Sequence, residues 1–288
     1  MSMNGDLVGK EYPPAIYNVS AEATMRYARA INEDNSAFLD ENRAGGIIAP
    51  PLFGVVVAGD AVAKAVGDPD LNINFKMALH GEEDIQFLAP LRPGDEISTT
   101  ARINGIETKE TGETLDVGLT LRNGAGEIVQ RQRFVLFVRE STSGGGTKKK
   151  GSSEPAGASR GEIPIAVVEQ CMDLDQTFRY SEASGDLVRI HLDEKVARKA
   201  GLPGIIAHGL CTMGFASKAA IDSLCSGDPG RLARLSVRFA RPVIPGEGLT
   251  TRFLVNSTGA SHGETYSFNM VNPKNAPVLT GGICEVRS

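Results

Sequence analysis

The sequence predicts an α+β protein made of two copies of one unit, each with a long antiparallel sheet around a buried helix. Three stretches recur in the same order in both halves: residues 27–41 with 180–194, Gly-Ile-Ile-Ala at Gly46 and again at Gly204, and residues 87–95 with 239–247. The repeat is far longer than the roughly 20–50 residues of a solenoid unit. It therefore indicates two domains in one chain.

The boundary between the two domains is marked by composition. Residues 141–160 are rich in glycine, serine and lysine and show no apolar periodicity, which is typical of a flexible linker. The lysines at 148–150 could contact a nucleotide phosphate, but a like-charge run in such a composition favours a solvated tether. We predict an N-terminal domain over residues 1–140 and a C-terminal domain over residues 161–288.

Each half begins with an extended segment that leads into a helix. The extended segments are residues 14–19 and 164–172. Ser20 is a plausible N-cap for the first helix, because its hydroxyl can accept a hydrogen bond from a free N–H of the first turn. Residues 173–176 have the spacing of a capping box and predict the start of the second helix.

A second, apolar helix is predicted in each half, at residues 51–66 and 209–224. In the second of these, apolar or small residues recur at three- and four-residue steps: Leu210, Met213, Ser217, Ile221 and Leu224. The other face is also apolar or small, so this helix is buried. Stretches with strand character follow it in each half: 83–87, 96–103, 114–121 and 128–138, then 232–239, 249–256, 265–271 and 278–286.

Composition limits the classes of function. The chain has 288 residues, 41% of them hydrophobic and 23% charged, with a net charge of −5, which argues against a general nucleic-acid-binding protein. No apolar run approaches the roughly 18 residues of a membrane span, and the N-terminus lacks the pattern of a signal peptide. The four cysteines contain no Cys-x-x-Cys pair and suggest a reducing compartment. We expect a cytoplasmic protein.

The candidate chemistry lies in the second half. The first helices end near Ile31 and Ser184, which leaves Asp186 just past a helix C-terminus, five residues before His191. A carboxylate and an imidazole side by side can move the protons needed to add or remove water. Gly209 opens the buried helix, and the free N–H groups of a helix N-terminus suit a developing oxyanion.

The same stretch resembles the hydratase-2 (MaoC-like dehydratase) family. The residues that match the family signature in order and spacing are Tyr180, Ser184, Gly185, Asp186, Ile190, His191, Asp193, Ala200, Gly201, His208, Gly209, Leu210, Cys211, Thr212 and Gly214. The resemblance implies the hotdog fold, in which a long antiparallel sheet wraps one helix. Two such domains in one chain would form a double hotdog, with their sheets paired edge to edge so that an exposed strand edge is covered.

The resemblance also implies an activity. It is the reversible syn hydration of a trans-2-enoyl thioester, with the (R)-3-hydroxyacyl thioester as the hydrated partner. Asp186 and His191 would activate one water, and the N–H of Gly209 would bind the thioester oxygen. A coenzyme A thioester would be the substrate, and no other cofactor is implied. The four histidines show no spacing typical of metal ligands, so we predict no metal site.

The sequence leaves alternative roles open for other residues of the stretch. His208 either orients the turn or contacts the ligand, and Tyr180 and Ser184 would shape the pocket. The family has Asn and Pro where this chain has Val188 and Arg189, so a hydrogen-bonding side chain is missing. Arg189 is either a partner for a substrate carboxylate or CoA phosphate, or an exposed arginine without a special role.

The first half lacks the same chemistry. Glu33 stands at the position of Asp186, and Phe38 at the position of His191. Pro50 and Pro51 replace the turn before Gly209, and proline has no backbone N–H to offer an oxyanion. We infer that this half is catalytically inactive and helps to line the substrate pocket.

Two other functions fit the same fold. A hotdog thioesterase would direct water to the carbonyl carbon, and a non-catalytic protein would only bind acyl thioesters, as the missing Asn allows. Assembly into a homodimer stays open, because the sequence identifies no surface for it. Acyl chain length, carrier and physiological direction are likewise not encoded in a recognisable pattern.

Overall fold

The computed structural model describes residues 2–140, 163–259 and 263–288. The predicted linker, residues 141–160, lies outside these ranges. Within the described residues, no helix is both long enough and apolar enough to cross a membrane.

The N-terminal half contains five strands and four short α-helices. They are β1 (Ala15–Asn18), α1 (Ala21–Ala30), α2 (Ser36–Leu39), α3 (Gly54–Val57), α4 (Gly59–Val66), β2 (Ala78–Phe87), β3 (Glu96–Lys109), β4 (Gly112–Arg122) and β5 (Ile128–Arg139). The C-terminal half repeats this plan with β6 (Ala166–Cys171), α5 (Gln176–Ser184), α6 (Glu194–Lys199), α7 (Gly209–Leu224), β7 (Leu232–Phe239), β8 (Gly248–Gly259), β9 (Gly263–Val271) and β10 (Pro277–Val286).

The ten strands of the described residues form one antiparallel sheet with the order β1-β3-β4-β5-β2-β7-β10-β9-β8-β6. The two halves meet where β2 pairs with β7, in register from Glu82 opposite Arg238 to Gln86 opposite Arg234. This pairing removes the free edge that each half would otherwise expose. The prediction of two hotdog domains joined edge to edge is confirmed.

The predicted start of α1 is confirmed, whereas α5 begins at Gln176 with Asp175 as its N-cap, two residues later than the predicted cap at Asp173. The Ser20 side chain accepts the N–H of Ala23 and caps α1. In the second half, the Gln176 side chain accepts the N–H of Asp173 at 3.2 Å, which is half of a capping box. The other half is missing because the Asp173 carboxylate instead accepts hydrogen bonds from Arg179 and Asn32.

The two buried central helices differ from each other. Helix α7 has the predicted bounds, and most of its side chains are buried. The prediction of one helix over residues 51–66 was wrong: the structure has a 3₁₀ turn, Pro51–Phe53, and then α3 and α4, separated at Ala58. Three successive valines and the glycines at 54 and 59 explain the break, since both residue types have low helix propensity.

The halves are also joined on the helix side of the sheet, where α1 packs against α5. Arg179 donates hydrogen bonds to the carbonyl of Arg29 at 2.7 Å and to the Asn32 side chain at 3.1 Å. Tyr27 and Tyr180, which are equivalent residues in the repeat, lie with ring centroids 5.7 Å apart. The two halves are therefore joined in the sheet by the pairing of β2 with β7 and in the helix layer by the packing of α1 against α5.

We predict that Gly214→Ala destabilises the protein by about 1–3 kcal/mol, the usual cost of overpacking a core. Gly214 lies on α7, and a Cβ there would be 2.8 Å from Cγ2 of Ile31 in the other half. Urea unfolding would measure the change. The matched control is Gly59→Ala on α4, where a Cβ meets nothing within 4 Å. This control should stabilise by up to about 1 kcal/mol through helix propensity. Equal effects of both substitutions would contradict the packing argument.

Candidate active site

The Asp186 carboxylate is held by the turn that ends α5. Gly185 has φ 76°, a left-handed conformation that glycine adopts without strain, and it stops the helix after Ser184. The Ser184 hydroxyl accepts the N–H of Asp186 at 3.2 Å. Oδ1 of Asp186 accepts the N–H of Val188 at 3.1 Å. The carboxylate is therefore oriented locally, while Oδ2 stays available to the site.

His191 lies at the end of a short 3₁₀ turn and is fixed through its backbone and its ring. Nδ1 lies 2.9 Å from the carbonyl oxygen of Ile206, so the Nδ1–H donates there and Nε2 carries the lone pair. The Thr177 hydroxyl donates to the backbone carbonyl of His191 at 2.8 Å. Burial lowers the pKa of His191 below its ordinary value, which keeps the ring neutral and leaves the Nε2 lone pair free to accept a hydrogen bond.

The structure brings Asp186, His191 and His208 into one cluster. One carboxylate oxygen and one nitrogen from each ring all lie within 4.8 Å of one another. The two imidazoles stack with centroids 3.8 Å apart and an angle of 28° between their planes. Asp186 and His191, which the sequence analysis paired, are therefore neighbours in space, and His208 is a third member of the cluster.

His208 connects the two segments that carry the site. It is the N-cap residue of α7 and is buried. Its Nε2–H donates to the backbone carbonyl of Asp186 at 3.2 Å, and Nε2 is 4.0 Å from the Asp186 carboxylate. Burial and the neighbouring His191 lower the pKa of His208 to about 4, so it is a neutral donor at physiological pH. This geometry supports the orienting role over direct contact with ligand.

Gly209 is the first residue of α7, and no acceptor for its N–H is found among the described residues. A free N–H at this position also carries the positive end of the helix dipole. An added Cβ would lie 3.0 Å from Cδ1 of Phe239, so a side chain here would displace that ring. The geometry is suitable for binding a developing negative charge on oxygen.

The remaining predicted residues divide into two groups. Tyr180 is buried, with its ring 5.0 Å from that of His208, and Ser184 contacts the Asp186 backbone. Arg189 is instead ion-paired with Asp193, and its side chain is 70% exposed. Val188 lacks the side-chain hydrogen bonds of the family Asn, but its backbone N–H binds the Asp186 carboxylate.

Three supporting groups escaped the sequence analysis. They are the Thr177 hydroxyl, the Ser181 hydroxyl, which lies 3.3 Å from Nε2 of His208, and the carbonyl of Ile206. Thr177 and Ser181 are one turn apart on α5, on the same face as Tyr180. The repeat offered a signal for Thr177, because Thr24 occupies the same position in the first half and is also fully buried.

The cluster is close enough to bind a metal ion, but its nitrogens are largely committed. Nδ1 of His191 donates to Ile206, and Nε2 of His208 donates to Asp186. The nearly parallel stack also prevents both rings from directing lone pairs at one point between them. Nε2 of His191 and Oδ2 of Asp186 have no hydrogen-bond partner among the described residues, and two acceptors of this kind suit a water molecule better than a metal.

The counterparts in the first half belong to the core. Phe38 is fully buried, and Pro51 begins the 3₁₀ turn that replaces the start of α7. Glu33 is 5% exposed, and burial raises its pKa to about 7. Oε2 of Glu33 lies 3.8 Å from Nζ of Lys218 on α7. The described geometry contains no imidazole beside this carboxyl group.

Family models match both halves of the chain. The MaoC like domain matches residues 155–272, and the FAS1-like, dehydratase domain region matches residues 6–132. The probable enoyl-CoA hydratase 2 of Dictyostelium discoideum is 27% identical over 250 residues, which cover 85% of this chain and 84% of that protein.

Two further relatives extend the comparison. The peroxisomal multifunctional enzyme type 2 of Mus musculus is 33% identical over 203 residues, but the chain spans 27% of its length. The crystal structure of a MaoC-like dehydratase from Phytophthora capsici superposes with a TM-score of 0.80 at 27% identity, covering 99% of this chain and 98% of that one. With the fold and the two matched halves, these likenesses show that the chain belongs to the MaoC-like dehydratase family, in its double-hotdog form.

Proposed function

We propose that the protein is a hydro-lyase that interconverts trans-2-enoyl-CoA and (R)-3-hydroxyacyl-CoA. The observation that carries the proposal is the placement of a carboxylate and a neutral imidazole beside the free N–H at the start of α7. The name of the Dictyostelium relative supports the same reaction.

The dyad would act on one water molecule. Asp186 Oδ2 and Nε2 of His191 both accept hydrogen bonds, so they can hold a water between them and orient its oxygen. The water oxygen adds to C3 of the enoyl group, and a proton is delivered to C2 from the same face. The water supplies both parts, so the side chains return to their starting protonation states. The reverse sequence is dehydration.

The thioester oxygen would be bound at the start of α7. As the new bond forms at C3, negative charge moves onto the carbonyl oxygen. The N–H of Gly209 and the helix dipole stabilise that charge, and one such donor contributes about 3–4 kcal/mol to lowering a barrier. His208 keeps the carboxylate segment and this N–H in fixed relation.

The N-terminal half would complete the acyl pocket without catalysing the reaction. Its inactive role is supported by the absence of an imidazole at Phe38 and of a backbone N–H at Pro51. Reaction without a cofactor other than the CoA substrate, a cytoplasmic location and homodimer formation stay predictions.

We expect Asp186→Asn and His191→Gln each to lower kcat by about 10²–10⁴-fold, because each removes an acid–base group. The loss of the conjugated enoyl absorbance measures hydration, and release of free thiol measures thioesterase activity. The control is Glu182→Gln, an exposed substitution on the same helix, which should keep the parental rate. Parental rates in both site variants would favour a non-catalytic binding protein, and thiol release would favour a thioesterase.

The rate of hydration should fall on the acid side of the pH profile. His191 acts as a base only when neutral, and burial lowers its pKa below the ordinary 6.5. Activity is therefore retained as the pH falls through 6.5 and is lost only at a lower pH, where the ring gains a proton. The pH dependence of kcat/KM measures this pKa in the free enzyme. An acid limb above 6.5 would contradict a buried, neutral base.

Glu33→Gln should leave hydration unchanged and should alter the pH dependence of stability. Because burial raises the pKa of Glu33 from 4.5 to about 7, the folded state favours the protonated carboxyl. Its ionisation therefore costs stability as the pH rises from 4.5 through 7, and Gln removes that cost. Urea midpoints of the parent and the variant below and above this window measure the difference. A large loss of activity would contradict an inactive first half.

A further inference from the structure

A second carboxylate–imidazole pair lies in the N-terminal half, at the start of β2. Nε2 of His80 is 3.1 Å from Oε2 of Glu83 and 3.1 Å from the carbonyl of Glu82, so the Nε2–H donates to both. The Glu83 side chain is 3% exposed, while that of His80 is 21% exposed. Nδ1 of His80 therefore remains available, with no partner among the described residues.

A β-bulge directs His80 toward the helix side of the sheet. Glu83, Ile85 and Phe87 alternate along β2 as buried residues on that side. The register between β2 and β5 shifts between His80 and Glu82, which places His80 on the same side as Glu83. Its ring lies between two aromatic rings, 4.3 Å from Phe134 and 4.7 Å from Phe239.

The position of His80 relates it to the active site of the other half. Phe239 is the residue whose ring would contact a Cβ on Gly209 at 3.0 Å. His80 thus lies one aromatic ring away from the N–H that would bind the thioester oxygen. It approaches from β2 of the half that would line the acyl pocket.

The repeat gives independent support for this placement. In the inactive half, a cavity of about 190 Å³ is lined by Pro51, Phe87 and Leu232, and Leu232 comes from the opposite half. The equivalent residues at the active site are Gly209, Phe239 and His80. At the inactive site the counterparts of His80 and Glu83 are Leu232 and Leu235, both fully buried. Of the two equivalent sites, the one with the catalytic residues has the polar pair His80 and Glu83, and the inactive one has two leucines.

Glu83 is a buried carboxyl group that the proposed mechanism does not use, and it contacts the ring of His80. Its Oε1 is buried and has no hydrogen-bond partner among the described residues. Burial raises the pKa of Glu83, while His80 opposes that shift. A buried carboxyl with a free oxygen is costly unless a partner is supplied. By accepting the Nε2–H of His80, the Glu83 carboxylate fixes the orientation of that ring. It also selects the tautomer in which Nδ1 carries a free lone pair.

We propose that His80, oriented by Glu83, is a specificity residue that accepts a hydrogen bond from a hydroxyl group on the acyl chain of the substrate. This inference rests on the proposed function, because it assumes that an acyl thioester occupies the site at Gly209. His80 contacts the chain beyond Phe239, and Glu83 is a positioning residue that acts through it. The preferred substrates are hydroxylated enoyl thioesters rather than plain alkyl ones.

The test compares trans-2-octenoyl-CoA with the same thioester carrying a terminal hydroxyl. The parent should favour the hydroxylated thioester by about tenfold in kcat/KM, the usual scale of one well-placed hydrogen bond. His80→Leu, which introduces the residue found at the inactive site, should bring this ratio close to one. Glu83→Gln should reduce the ratio to an intermediate value. Gln86→Ala, an exposed change on the same strand, should keep the parental ratio.

The outcomes separate the specificity proposal from the proposed function. Hydration of both thioesters by the parent with a ratio near one overturns the role of His80 but supports the hydratase. An equal loss on both substrates in His80→Leu also overturns that role, since it indicates contact with the CoA arm or a structural effect. If the parent hydrates neither, calorimetric binding of octanoyl-CoA and its terminal hydroxyl analogue still tests the preference. Equal affinities in that measurement reject it.

Discussion

The site depends on one partly buried hydrogen bond, from Nε2–H of His208 to the backbone carbonyl of Asp186. His208 precedes the first residue of α7, and Asp186 follows the end of α5, so this bond joins a helix start to a helix end. It holds the segment that carries the Asp186 carboxylate next to the start of α7, where the ring of His191 stacks on His208. Burial together with the neighbouring His191 lowers the pKa of His208 to about 4, so the ring is neutral at physiological pH and donates through Nε2–H.

The fold supplies the same scaffold twice, but the chemistry differs between the copies. The first helix ends at Ala30 in one half and at Ser184 in the other, and equivalent carboxyl groups follow it, Glu33 three residues later and Asp186 two residues later. In one half that group is buried beside Lys218, and in the other it faces two imidazoles. The difference arises from a few side chains and from prolines at a helix start, while the backbone plan is retained.

Much of the fold could be predicted because its signals are local. Alternating apolar residues located most strands, and the spacing of apolar residues set the bounds of α7. The sequence placed β2 only at 83–87, since residues 78–82 combine a histidine, a glycine and a glutamate and form a strand through pairing with β5. The stacking of His191 on His208, seventeen positions apart, follows from tertiary packing and has no local signal.

The edge-to-edge sheet also has an evolutionary consequence. When two identical chains form such a sheet, every substitution occurs at both sites, so a change that improves one pocket is imposed on the other. Linking the copies in a single polypeptide removes that constraint. Here Leu232 stands at the inactive site where its counterpart His80 stands at the active one. The two copies were therefore free to diverge into a catalytic and a supporting domain.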